Sequence, residues 1–583
     1  MSDPCKAIAS SLAAIICLAT VPATGQEEMQ VEYDVVEMPS HWVAPAPTGK
    51  GAGPVTEEML RKSGSYTDKW LQYHGDDRGY RHSPIKALTP EKVKNLRLAW
   101  LLPTGTLGQQ EVSPVVYDGI IYVTTSYNRL FALESATGKT LWRYDHQNPK
   151  DLRLCCGPPN RGVAIYGNTV LMATLDAHLL AFDRRTGALL WNRKMADYDK
   201  GYSATSAPLI VKGMAVIGIA GGEFGVRGFF DAYDVKTGEL VWRHYTVPAA
   251  GEPGVETWAG ESWKTGGAPA WTTGLYDAET DTLFWTTGNP SPDWNGDSRK
   301  GDNLYSNSLL AVEPETGKLK WHFQFTPHDL WDYDGNTHIF LLDFKQGNKV
   351  HKVVAQPNRN GYFYVIDRQS GEFLRGNAYL EQVNWATLDA KGRPIVSPHA
   401  LPTESPTERV CPSNAGGING AWTAAYNPDL NLAFIPAMEA CSQFQKGLAI
   451  YMEGLPYTGG TFIQVDGRNK IAYGHITAYD VAKGEVSWRY HDPFPVSAGA
   501  LSTAGGVVFS GSNSGAIALD ARSGEKIWSF NLGAPIRSQP IAWQEDGKTY
   551  VAYGAGDSPS LAAMFGAPTH TSDGGLFAVF VLE

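Results

Sequence analysis

The sequence predicts an all-β protein, an eight-bladed β-propeller with Trp-docking repeats. Three observations predict it. A motif of the form A-x-D/E-x-x-T/S-G-x-x-x-W recurs six times, the copy at Ala478 slightly off pattern with Lys483 in place of the Thr or Ser. The copies are spaced at intervals suited to propeller blades. The composition, with Gly 62, Pro 36 and 11% aromatic residues in 583, suits many short strands joined by tight turns.

The copies run Ala132…Gly138…Trp142, Ala181…Gly187…Trp191, Ala232…Gly238…Trp242, Ala311…Gly317…Trp321, Ala478…Gly484…Trp488 and Ala518…Gly524…Trp528. Each reads as a strand, a turn closed by glycine in a positive-φ conformation, and a strand that carries the Trp. Successive Trp residues are 49, 51, 79, 167 and 40 apart, and the gap of 167 has room for three repeats. It contains a degenerate copy without the Trp, Val365-Ile-Asp-Arg-Gln-Ser-Gly371, and a strand-like run from Ala425 to Pro436 counted as another unit. A four-stranded blade cannot bury both faces alone, so neighbours stack around an axis and the repeated Trp reads as interblade packing. Gly574–Leu582 is expected to close the ring by pairing with Leu96–Trp100, which removes the open sheet edges.

At the N-terminus, Lys6 precedes an apolar run from Ala7 to Ala19 and small residues end at Gly25. That is the layout of a secretory signal peptide, so 1–25 is read as a leader and 26–583 as one propeller domain with a lead-in over 26–95. Within the lead-in, Thr56 is a capping residue for a short helix. No other segment reaches the length of a membrane span. A net charge of -11 without a basic run argues against nucleic acid. The expected location is the periplasm. There the four cysteines outside the leader, Cys155, Cys156, Cys411 and Cys441, suggest two disulfides. Cys155-Cys156 can close only a strained ring, and two separate buried thiols are the alternative. No C-x-x-C-H is present for covalent haem.

Chemistry concentrates in Thr326-Pro-His-Asp-Leu-Trp-Asp-Tyr-Asp-Gly-Asn336, with Asp329, Asp332 and Asp334. If Trp331 to Asp334 runs extended, Asp332 and Asp334 point the same way, and two carboxylates on one side call for a hard cation. An acidic surface loop is the simpler alternative. Glu223, in Gly221-Gly-Glu-Phe-Gly-Val-Arg-Gly228, and Asn289, in Thr287-Gly-Asn-Pro290, sit at glycine-rich strand exits. Trp271, Arg161, Arg359 and Asn419 fall outside the repeat at blade edges. The long insertions 244–280, 290–307 and 375–420 are where a binding site would sit.

Together these motifs resemble the quinoprotein alcohol dehydrogenases, propellers that use pyrroloquinoline quinone (PQQ). The resemblance covers nearly the whole chain after the leader, and the motifs occur in the family's order. It implies that PQQ lies between a Cys155–Cys156 disulfide and the Trp271 indole. Glu111, Arg161, Thr205, Gly221, Gly222, Arg359 and Asn419 would contact it. Glu223, Asn289, Asp332 and Asp334 would bind the metal, with Asp332 as general base. Asp334 stands where calcium-dependent methanol enzymes carry a small residue and lanthanide-dependent ones carry Asp, so a lanthanide is favoured and calcium is the alternative. Ser497 departs from the family, which often has Trp there, and the pocket is expected to be more open. The implied function is periplasmic oxidation of primary or secondary alcohols to aldehydes or ketones, with electrons passed to a separate soluble cytochrome c. The alternative of another class is a non-catalytic periplasmic propeller that scaffolds protein assembly.

Overall fold

A computed structural model describes residues 40–346, 349–466, 473–556 and 574–583. The expected leader, 1–25, and the first part of the lead-in lie outside the described residues. Eight sheets of four or five strands form the blades. In chain order they span 115–145, 164–194, 209–245, 275–324, 340–378, 425–492 and 501–530, and the eighth spans 541–582. The strand Arg97–Pro103 supplies the outer edge of blade 8, antiparallel to Leu576–Leu582, with Trp100 opposite Val579. The expected closure is therefore present.

The repeat builds the outer half of each blade. Its Ala pairs with its Trp across the two outer strands, as in Ala132 with Trp142 and Ala518 with Trp528, and a bulge follows the Ala. The Trp then docks on the next blade. Trp142 Nε1 donates to the Arg184 carbonyl at 3.1 Å, Trp191 to Val235 at 3.1 Å, and Trp242 to Pro314 at 2.9 Å. Trp488 donates to Ala521 and Trp528 to Leu96, each at 3.2 Å. The indole lies on the next motif's glycine. A Cβ on Gly187 would stand 2.6 Å from Trp142, at a φ of +77°. Glycine is required there both for the turn and for the close approach.

Trp100 performs the same role for the closing blade. Its Nε1 donates to the Ser135 carbonyl at 3.2 Å, so a Trp also docks across the seam onto blade 1. Blade 5 lacks the Trp, and Arg375 stands opposite Val365 in its place. Its guanidinium donates to the Ala482 carbonyl of blade 6 at 3.0 Å.

The count inside the long gap is corrected. Ala425–Asn427 and Leu432–Glu439 are the inner strands of the blade that the Ala478 repeat completes, since Phe434 pairs with Ala478. They are not a separate repeat. The gap adds one blade, 340–378, and the remaining length is insertion. One insertion follows Ala378 and carries the small ribbon Ala386–Leu388 with Pro394–Val396. Another is the ribbon Cys441–Lys446 with Gly460–Asp466. A Cys411–Cys441 disulfide joins the two insertions. In the lead-in, the helix Glu57–Arg61 is capped by Thr56, whose hydroxyl accepts from the Met59 N–H at 3.2 Å.

Candidate active site

The acidic stretch is a loop and not a strand. Asp332 and Asp334 have φ of 58° and 51°, in the left-handed region. The extended reading of Trp331–Asp334 is therefore wrong, and Asp329 is the reason. Its carboxylate accepts the N–H of Trp331 and of Tyr333, both at 2.8 Å, and the Asn307 side-chain amide at 2.9 Å. A short acid that captures backbone donors in this way curls the chain out of a ladder. The shared direction of the two acids survives for a different cause. Trp331 and Tyr333 are buried against Trp385, each with ring centroids 5.0 Å from it. Trp331 Nε1 and the Tyr333 hydroxyl donate to the Ala400 and Pro412 carbonyls, both at 2.7 Å. With the aromatics anchored in the insertion, Asp332 and Asp334 are left lining the central cavity.

Loops from several blades complete that cavity. Glu111, Cys155, Cys156, Arg161, Thr205, Gly221, Glu223, Trp271, Arg359 and Asn419 line it together with the two acids. Gly222 and Asn289 are not in the lining and sit behind it. The Gly222 carbonyl accepts from the Ser291 hydroxyl, and the Asn289 N–H donates to Asp334 Oδ1 at 3.0 Å. Gly288 makes that approach possible, because a Cβ there would stand 2.5 Å from the same oxygen. Cys155 and Cys156 form a vicinal disulfide, as expected, and both are exposed to the cavity. Among the described residues, one group of three His, Cys, Asp or Glu side chains brings its donor atoms within 4.8 Å, namely Cys155, Cys156 and Glu223. Oxidised sulfurs are not thiolate ligands, so this group marks the proximity of Glu223 to the disulfide.

At one side of the cavity Arg161 pairs with Glu111 at 2.7 Å, donates to the Thr205 hydroxyl at 2.6 Å and lies over the Trp271 ring at 4.8 Å. At the other, Arg359 pairs with Asp334 at 2.8 Å and approaches Asp332 at 3.8 Å. The Nε–H groups of Arg161 and Arg359 are buried without a hydrogen-bond acceptor. Leaving such donors unmet is costly, and an anionic, oxygen-rich ligand would satisfy them.

The carboxylates press in the same direction. Burial pushes Glu223 up to about 7, with Asp334 adding to the rise and Arg359 opposing it. Burial also raises Asp332 well above the usual carboxylate range; Arg359 opposes, and Asp334 and Glu223 reinforce. Asp334 is raised by burial as well. Three acids around one guanidinium resist full ionisation, and a multivalent cation with oxygen ligands would reverse that balance. The donor set therefore fits a hard cation.

Several lining residues were not foreseen from the sequence. Leu154, Phe224 and Trp422 add apolar wall, and Asn414 adds an amide. Arg537 also lines the cavity and donates to the Ser497 hydroxyl. The place where the family often has an indole thus carries a hydroxyl and a cation.

A family model described as "Glucose/ethanol/alcohol dehydrogenase, beta-propeller domain" of the PQQ type matches residues 70–376. The quinoprotein alcohol dehydrogenase PedH of Pseudomonas putida is 41% identical over 507 residues, which is 82% of this chain and 84% of that protein. The chain belongs to the PQQ-dependent alcohol dehydrogenase family. Further relatives of this alcohol dehydrogenase agree. The lanthanide-dependent methanol dehydrogenase of Methylacidiphilum fumariolicum is 34% identical, over 88% of this chain and 92% of the relative. A solved europium-containing methanol dehydrogenase superposes with a TM-score of 0.85 at 32% identity, covering 90% of this chain and all of that one. A second family model, described as outer membrane protein assembly factor BamB, matches only residues 472–566 of the dehydrogenase.

Proposed function

We propose that this dehydrogenase oxidises primary or secondary alcohols in the periplasm with a lanthanide as its preferred ion, passing electrons to a soluble cytochrome c. Calcium is the alternative ion. The observation that carries the reading is the second carboxylate, Asp334, held beside Asp332 in the cavity. An additional anionic oxygen ligand suits a trivalent ion better than a divalent one. Relatives named for lanthanide and europium support the same choice. The apolar run from Ala7 to Ala19, followed by small residues up to Gly25, supports export of the chain.

Glu111, Arg161, Thr205, Arg359 and Asn419 would hold the polar periphery of PQQ, and the Cys155–Cys156 disulfide and Trp271 its flat faces. Glu223, Asn289, Asp332 and Asp334 would bind the ion. When bound, the two supply a hydride acceptor and the Lewis acid that activates it. The work of the chain's own groups is positioning and proton transfer. An ionised Asp332 carboxylate oxygen receives the substrate hydroxyl proton, and a cation held by Glu223, Asn289 and Asp334 would favour that ionised form. Leu154, Phe224 and Trp422 line the approach with apolar surface that excludes water.

The test is reconstitution of metal-free, PQQ-free protein, assayed with a dye acceptor over a panel of primary and secondary alcohols. Turnover is expected only with PQQ and a metal together, and faster with lanthanum than with calcium. No turnover with either metal would overturn the reading. In the same assay Asp334→Ala is expected to raise the lanthanum concentration for half-maximal activity about 100-fold or more, with a smaller change for calcium, and with the circular dichroism melt lowered but still cooperative because Arg359 and the Asn289 N–H lose a partner.

A further inference from the structure

Asp293 is a buried acid that the chemistry above does not use, 1% exposed, in the loop that follows Asn289. Its Oδ1 accepts from Asn289 Nδ2 at 3.0 Å, while the Asn289 backbone N–H is committed to Asp334. A primary amide has a donor end and an acceptor end. Binding the donor end to a carboxylate sends the carbonyl oxygen the other way. The reverse orientation would set oxygen against oxygen. The freed Oδ1 lies on the side of Gly222, where a Cβ would stand 3.3 Å from it, next to Glu223. A cation requires that oxygen and is repelled by the amide hydrogens.

Asp293 is itself held firmly. Arg299 is fully buried and donates to the Pro292 carbonyl at 2.9 and 3.1 Å and to the Asp293 carbonyl at 3.3 Å. The same guanidinium donates to the Asp329 carbonyl at 2.5 Å. One side chain thus ties the loop of Asn289 to the loop of Asp332.

We propose that Asp293 is a positioning residue of the cation centre, which fixes the Asn289 amide with its carbonyl oxygen toward the ion. The proposal rests on the cation reading above, and the test separates the two.

The measurement is metal content. PQQ-loaded protein is dialysed to equilibrium against chelator-buffered lanthanum, and bound metal is counted by mass spectrometry. Wild type is expected to bind one ion and Asp332→Asn to bind it more weakly, filling only at higher lanthanum. Asp293→Leu, which keeps the bulk and removes the acceptor of the Asn289 amide, is expected to weaken lanthanum binding by about 10- to 100-fold, the usual effect of losing an outer partner of a ligand. The reciprocal exchange Asn289→Asp with Asp293→Asn restores an oxygen facing the ion and a donor behind it, and is expected to return affinity to within about threefold of wild type. If Asp293→Leu does not fold, the double exchange still decides the matter, because its failure to bind in a folded protein overturns the proposal. Equal binding by wild type and Asp293→Leu also overturns it while leaving the cation reading intact. Absence of saturable binding by wild type overturns both.

Discussion

An Asp332→Asn enzyme is expected to lose about 10²- to 10⁴-fold in kcat with every alcohol, the range typical of a missing general base. The substitution keeps the size of the side chain and removes the charge that receives a proton. Two readouts separate base from ligand. Metal content reports the ligand role, and kcat at saturating metal reports the base. Asp332 is half-buried beside Arg359 and two other acids that raise its pKa, so the neutral amide also relieves a crowded group of acids, and the protein should unfold no earlier than wild type. Retention of wild-type kcat at full metal occupancy would remove Asp332 from the chemistry.

Trp142→Ala is expected to destabilise the protein by about 3–5 kcal/mol, the cost of emptying a large buried aromatic site. Trp142 is 0% exposed, packs against Phe182 and Tyr122, and donates to the Arg184 carbonyl. Arg184 in turn pairs with Asp118 at 2.9 Å and donates to the Ala52 carbonyl at 2.7 Å, so the damage spreads to the lead-in. Trp191 holds the same place in the next blade but is only half-buried, and its removal should cost roughly half as much. Urea unfolding of both variants checks the order. A midpoint shift no larger for Trp142→Ala than for Trp191→Ala would mean that docking strength does not follow burial.

The fold is legible where a local pattern repeats. Each Ala–Gly–Trp copy contains its own turn, strand pair and docking residue, so blade after blade can be read without knowing the tertiary structure. Legibility fails where the pattern is borrowed or broken. Trp100 docks like the others, but its blade is completed by strands almost 480 residues later, and no motif precedes it. Arg375 does the docking of a Trp with different atoms. Ala425–Pro436 looks like a repeat because two inner strands separated from their outer pair by an insertion resemble half a blade.

At the site, residue identities are legible and conformations are not. That Asp332 and Asp334 share a direction follows from their spacing, but the cause is two anchored aromatics and a curled loop, which a period of two does not encode. Asp293 escapes notice because its importance lies in one hydrogen bond to Asn289, across a turn. Arg537 escapes because it meets Ser497 only after blades 7 and 8 come together.

The seam at blade 8 bears on the order of events during biogenesis. Arg97–Pro103 emerges early and its partner Leu576–Leu582 last, so this pairing has the longest chain separation in the ring and the largest loop to close. Contacts of such high order form late. A chain in which this seam is unpaired would present two raw strand edges, which invite pairing with other chains. The cavity takes Glu111 from the chain just before blade 1 and Arg537 from beside blade 8, so its walls meet only when the ring shuts. Cofactor capture is therefore expected to follow the final strand and to act as a latch, making the last folding event hard to reverse.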